Sequence, residues 1–149
     1  MKVKFFSLVL FFSFWGWGCE QPASLQMNRE WAIKQVLSDQ VNEWNRGSVD
    51  GFMKGYWNSD SLQFITPNGV KKGYNTVLNS YKKNYPTSLE MGTLHFEVLH
   101  IKFLSIDSTS AQVLGKWHVT ENPKPGSGYF SLIFRFFEDG PKIIIDHTY

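Results

Sequence analysis

Asp146 and His147 stand side by side directly after the apolar run Ile143, Ile144 and Ile145. A carboxyl and an imidazole are side chains that move protons near neutral pH, so a strand ending in this pair can offer an acid or base to a cavity. Adjacent strand residues point to opposite faces, and in regular geometry only one of the two can enter. The bland alternative is that both hold the terminal strand through hydrogen bonds. Gln40 is a second polar candidate, because it interrupts an apolar helix face between Leu37 and Val41. A buried amide without a partner costs about 1 to 3 kcal/mol, so Gln40 needs a protein group, a water or a ligand, unless it reaches solvent from the helix edge.

Tyr56, Trp57, Tyr81, Tyr85 and Trp117 supply ring walls with a few polar tips. That combination suits a planar or terpenoid-like ligand as well as it suits a plain core. His95, His100 and His118 fall on strand patterns, with no His-x-x-x-His spacing and no cysteine-bearing ligand motif beside them, so neither a metal nor a cofactor is expected. No Ser/His/Asp or Cys/His arrangement is recognisable, and Gly126-Ser127-Gly128 lacks the helix that a phosphate loop requires.

The elements that must position these residues are legible in the apolar spacing. Ile33, Val36, Leu37, Val41 and Trp44 form one helix face, which stops near Gly47, and Ser48 can cap a short second helix through Val49, Phe52 and Met53. Leu62, Phe64 and Thr66 predict a short strand closed by Pro67-Asn68-Gly69. Tyr74, Val77, Leu78, Tyr81 and Tyr85 predict a third helix, ended by Pro86. From Thr93 the period becomes two, in runs 93–104, 110–120, 128–138 and 142–148 separated by hairpin signals. In the first run Leu94, Phe96 and Val98 share one face while Leu99, Ile101 and Phe103 share the other, which predicts a bulge near Val98-Leu99 that bends the strand. Arg135, between Phe134 and Phe136, is expected to face away from the core or into a subunit contact. The fold class is α+β, with helices packed on one face of a strongly curved antiparallel sheet.

A chain of 149 residues supports one domain, and 42% hydrophobic with 19% charged residues excludes a disordered chain. Met1 to Lys4 is basic, and Phe5 to Gly18 is an apolar run too short to span a bilayer as a helix, the layout of a signal peptide over residues 1–18. Without Lys2 and Lys4 the chain carries thirteen basic and thirteen acidic residues, with three Arg in all. That balance lacks the footprint of a nucleic-acid binder, and Lys71-Lys72 and Lys82-Lys83 are expected to be solvated surface. The lone cysteine, Cys19, ends the apolar run behind Gly16 and Gly18, and the arrangement resembles a bacterial lipoprotein signal. The resemblance implies a lipid-modified Cys19, a linker over 19–26, a domain over 27–149 and an exported protein tethered to a membrane of the cell envelope. Ordinary secretion is the competing reading.

The order of elements, together with Trp44-Asn45-Arg46-Gly47, Gly55-Tyr56-Trp57, Gly69, Tyr81, Tyr85-Pro86, Gly115, Trp117 and Asp146-His147-Thr148, resembles the nuclear transport factor 2-like superfamily and, within it, the SnoaL-like branch. The resemblance implies a cone with a pocket between sheet and helices, often in a homodimer. It admits cofactor-free isomerases, cyclases and hydratases as well as binding and assembly domains, so fold alone does not select among them. In ketosteroid isomerase-like members a carboxylate base precedes a Pro-x-Gly turn; here Thr66 holds that position, and a hydroxyl disfavours that mechanism. Two expectations follow. The first is a small, largely apolar ligand held by Gln40, Tyr56, Trp57, Tyr81 and Trp117, with Asp146 or His147 available for catalysis. The second is a scaffold domain whose interior is filled.

Overall fold

The computed structural model describes residues 22–149, apart from Asn122. Helix α1 (Pro22–Asn45) and helix α2 (Val49–Met53) lead into the hairpin β1 (Gln63–Thr66) and β2 (Gly69–Lys72). Helices α3 (Tyr74–Asn84) and α4 (Ser88–Met91) follow, and then the strands β3 (Thr93–Phe103), β4 (Ser110–Thr120), β5 (Gly126–Phe137) and β6 (Gly140–Thr148). The stretch 1–18, expected to be a signal peptide, and Cys19 lie outside the described residues. Within the stretch expected to be linker, the chain is already helical from Pro22. Proline suits a helix's first turn, where its missing N–H would have no intrahelical partner.

The apolar spacing of α1 does what it predicts: Ile33, Leu37, Gln40 and Trp44 are buried along one face. The helix ends at Asn45, and Gly47 just beyond it takes a φ of +80°, which suits a residue without a Cβ. Ser48 then caps α2 by accepting from the Gly51 N–H at 2.9 Å. Beyond Trp44, Asn45 acts as a substitute strand. Its Nδ2 donates to the Leu94 carbonyl at 3.1 Å and its Oδ1 accepts from the Leu94 N–H at 2.8 Å. Leu94 belongs to an edge strand, so this pair satisfies backbone groups that would otherwise face open space.

The six strands form one sheet in the order β2-β1-β6-β5-β4-β3. The sheet is mixed where a wholly antiparallel one was expected, because β1 runs parallel to β6, with Phe64 opposite Asp146. The long helical segment between β2 and β3 makes that return possible, since parallel neighbours cannot be joined by a tight turn. The ladder between β3 and β4 shifts register between Val98 and His100, the bulge read from the change of apolar phase. A second shift between β5 and β6 leaves Ile144 without an opposite number, as Phe134 pairs with Ile143 and Ile133 with Ile145. The two bulges bend the sheet, which curls over the helices without closing. Phe134, Ile143, Ile33, Met53, Leu62, Val77 and Met91 fill the core between the layers. Arg135 faces outward, its guanidinium 5.7 Å from the Phe137 ring centroid.

Candidate functional site

A cavity of about 410 Å³ lies between the concave face of the sheet and the helices. Its floor is set by Gln40, Phe52, Tyr56 and Asp146, all buried, and its rim by Thr66, Asn68, Lys71 and Asn84. Volumes of this size accommodate small organic ligands. The filled interior that a scaffold domain would show is absent from this region. Trp44 organises one wall: Phe52, Tyr81 and Tyr85 pack edge-on to it with centroids 5.1, 5.9 and 4.8 Å away. Phe96 meets Phe130 at 5.3 Å on the sheet side.

Asp146 enters the cavity and His147 does not. The unpaired Ile144 changes the alternation of β6, so that Ile143, Asp146 and Thr148 share the inner face with Phe134, Leu132 and Phe130, their partners on β5. Without that extra residue, the parity starting from Ile143 would turn position 147 inward. His147, the other of the two candidates, is exposed on the outer face instead, its ring near Tyr149.

The Asp146 carboxyl is almost wholly enclosed, at 3% exposure. Its Oδ2 accepts from the Tyr56 hydroxyl at 2.7 Å, and its Oδ1 accepts from the Thr148 hydroxyl at 2.5 Å. Burial raises its pKa to about 6, outweighing the lowering effects of the Thr148 and Tyr56 hydrogen bonds and of His147. A carboxyl so placed exchanges its proton close to neutrality, as a general acid or base requires. Burial, and then the charge of Asp146, push the Tyr56 hydroxyl well above its usual range. The same two causes, in the same order, raise Tyr81, which also interacts with Tyr56. Both phenols are therefore neutral donors, and Tyr81 lines the cavity beside the acid.

The remaining expected residues separate. Gln40 lines the cavity, with its Nε2 donating to the Phe52 carbonyl at 3.1 Å, which answers its need for a partner. Trp117 lines it too, and its indole N–H is buried with no acceptor among the described residues. Trp57 is not in the wall; its ring stacks on Phe137, 5.6 Å away. Thr66 is held in its own turn, accepting from the Asn68 N–H at 3.2 Å, and makes no contact resembling that of a base. His95 and His118 oppose each other on the exposed face of β3 and β4. No group of three His, Cys, Asp or Glu side chains among the described residues gathers to hold a metal. Among the wall residues that escaped the sequence reading are Thr148, Phe64 and Lys71. Lys71 and Lys72 are adjacent in a strand and must point oppositely, the one signal that would have turned one of them inward.

No protein-family model matches the chain, and a search of curated proteins also finds no match. Solved structures do match. A nuclear transport factor 2-like protein of unknown function from Shewanella oneidensis MR-1 is 34% identical, with a TM-score of 0.75, over 80% of this chain and 97% of that one. A nuclear transport factor 2-like superfamily protein from Salmonella enterica superposes with a TM-score of 0.65 at 13% identity, over 83% and 92% of the two chains. A ketosteroid isomerase-like protein from Erwinia carotovora atroseptica gives 0.59 at 12%, over 78% and 92%. The last two show the shared fold alone. With the Shewanella relative matched over nearly its whole length, this chain belongs to the nuclear transport factor 2-like superfamily.

Proposed function

We propose that the chain is a lipid-anchored domain of the bacterial cell envelope, of the SnoaL-like branch, that holds a small, largely apolar molecule in its cavity. The observation that carries this reading is the ring-walled hollow of about 410 Å³ with one buried carboxyl at its floor. Apolar area removed from water contributes roughly 25 cal/mol per Å², so the rings supply affinity while Asp146, Tyr81 and the rim select orientation. Asp146 also gives the cavity a route to cofactor-free acid/base chemistry: isomerisation, cyclisation or hydration of a bound ligand. In that case Tyr56 and Thr148 orient the carboxyl and Tyr81 donates to an oxygen of the ligand. The anchor rests on Cys19 at the end of the apolar run. A homodimer is part of the reading, supported by Leu99, Leu114 and Tyr129 exposed on β3, β4 and β5, and sedimentation velocity reads it directly.

The test uses a neutral apolar fluorophore, N-phenyl-1-naphthylamine. It is expected to bind once per chain, and a tryptophan at the exposed rim position Asn84 should block it while leaving the melting temperature unchanged. Absence of binding, or binding indifferent to Asn84→Trp, overturns the proposal.

A further inference from the structure

Lys71, Phe64, Asp146 and Leu132 lie in one row across β2, β1, β6 and β5, each opposite the next in register. Register partners share a face of the sheet, so the one cation and the one acid that the described residues give the cavity wall look into the same hollow. Strands are spaced about 4.8 Å apart, which separates the Lys71 and Asp146 Cα atoms by roughly 10 Å. Lys71 lies on the rim side, half-buried, with its Nζ 5.9 Å from the Phe64 ring centroid. Its Nζ donates to Ser80 Oγ at 2.6 Å. An ammonium has three donors, and this one has a neutral partner only. Lys34, Arg46, Lys82, Lys116 and Lys142 are each paired with a carboxylate; no ion pair among the described residues includes Lys71.

We propose that Lys71 is the anion anchor of the cavity, and that the ligand is an amphipathic monocarboxylate with its apolar body among the rings and its acid group at the Lys71 ammonium. The proposal rests on the ligand-binding reading above and names the ligand's class. A single cation flanked by neutral polar groups, Ser80, Asn68 and Asn84, matches one negative charge, whereas the second charge of a phosphate would have no cation beside it among the described wall residues. The row also fixes direction. An ionised Asp146 repels an anionic head, so the head takes the Lys71 end and the apolar or neutral polar end takes the floor.

Calorimetric titration of two acid and neutral pairs tests this: 2-naphthoate against 2-naphthamide, and decanoate against decanol. The acid of at least one pair should bind the wild type tenfold or more tightly than its neutral partner. Lys71→Met should bring that pair to equal affinity, and Lys71→Arg should keep the preference. Equal binding of acid and neutral partner by the wild type overturns the anchor and leaves the ligand-binding reading standing. A preference that survives in Lys71→Met also overturns it. Failure of all four compounds to bind the wild type overturns the anchor and the cavity reading together.

Discussion

The Tyr56 hydroxyl donates to Asp146 Oδ2 at 2.7 Å across ninety residues of sequence, at the floor of the cavity. Folding encloses the carboxyl and raises its pKa from 3.8 to about 6, so the folded state holds its proton more tightly than the unfolded one. Stability from this group is complete below about pH 4, falls as the pH rises toward 6, and levels off beyond, a loss on the order of 3 kcal/mol. Asp146→Asn keeps an acceptor for Tyr56 and removes the ionisation. Its urea midpoint should therefore lack this decline between pH 4 and 7 that the wild type shows. A turnover assay, once a substrate is in hand, should lose activity in Asp146→Asn and keep it in His147→Ala.

Trp44 and Trp117 both line the cavity, but their indole nitrogens differ. Trp44 Nε1 donates to the Met91 carbonyl at 2.9 Å, while Trp117 Nε1 is buried without an acceptor among the described residues. Replacing Trp44 by Phe leaves that carbonyl unsatisfied as well as thinning the wall, whereas Trp117→Phe removes an unpaired donor. Chemical denaturation should show Trp44→Phe less stable than Trp117→Phe by about 1 to 3 kcal/mol.

Gly115 sits under the Phe130 ring. A Cβ there would come within 2.2 Å of Phe130 Cζ and 2.7 Å of the Glu97 carbonyl oxygen, which is backbone and cannot swing away. Gly115→Ala should cost about 1 to 3 kcal/mol through overpacking. Because Phe130 is a wall residue, the displaced ring should also weaken N-phenyl-1-naphthylamine binding, which fluorescence titration measures.

Cys19→Ser tests the anchor independently of the cavity. Several acyl chains hold a domain at a membrane through about 0.8 kcal/mol for each buried CH2. The variant should move from the membrane to the soluble fraction; continued membrane association contradicts acylation at that residue.

The two bulges show what a sequence can and cannot disclose. The bulge near Leu99 is visible because the apolar residues of 93–103 change face partway along. The bulge at Ile144 is hidden because Ile143, Ile144 and Ile145 are alike, so no change of phase marks the extra residue, and Asp146 and His147 could not be told apart. The third helix was legible from Tyr74, Val77, Leu78 and Tyr81, while α4, at four residues, is too short for periodicity to register. The strand β2 is mostly exposed and polar, and its inward Lys71 merged into a surface pair. The parallel seam between β1 and β6 joins residues some eighty positions apart, a distance at which local pattern carries no information.

The placement of β6 also orders events during biosynthesis. The strand follows all five others in chain order yet lies between β1 and β5, so a growing chain meets a stage with a detached hairpin, a three-stranded remainder and open edges on both. Only when β6 emerges do the pieces join. The same strand delivers Asp146, so a nascent chain has neither a continuous sheet nor a carboxyl at the cavity floor until synthesis reaches it.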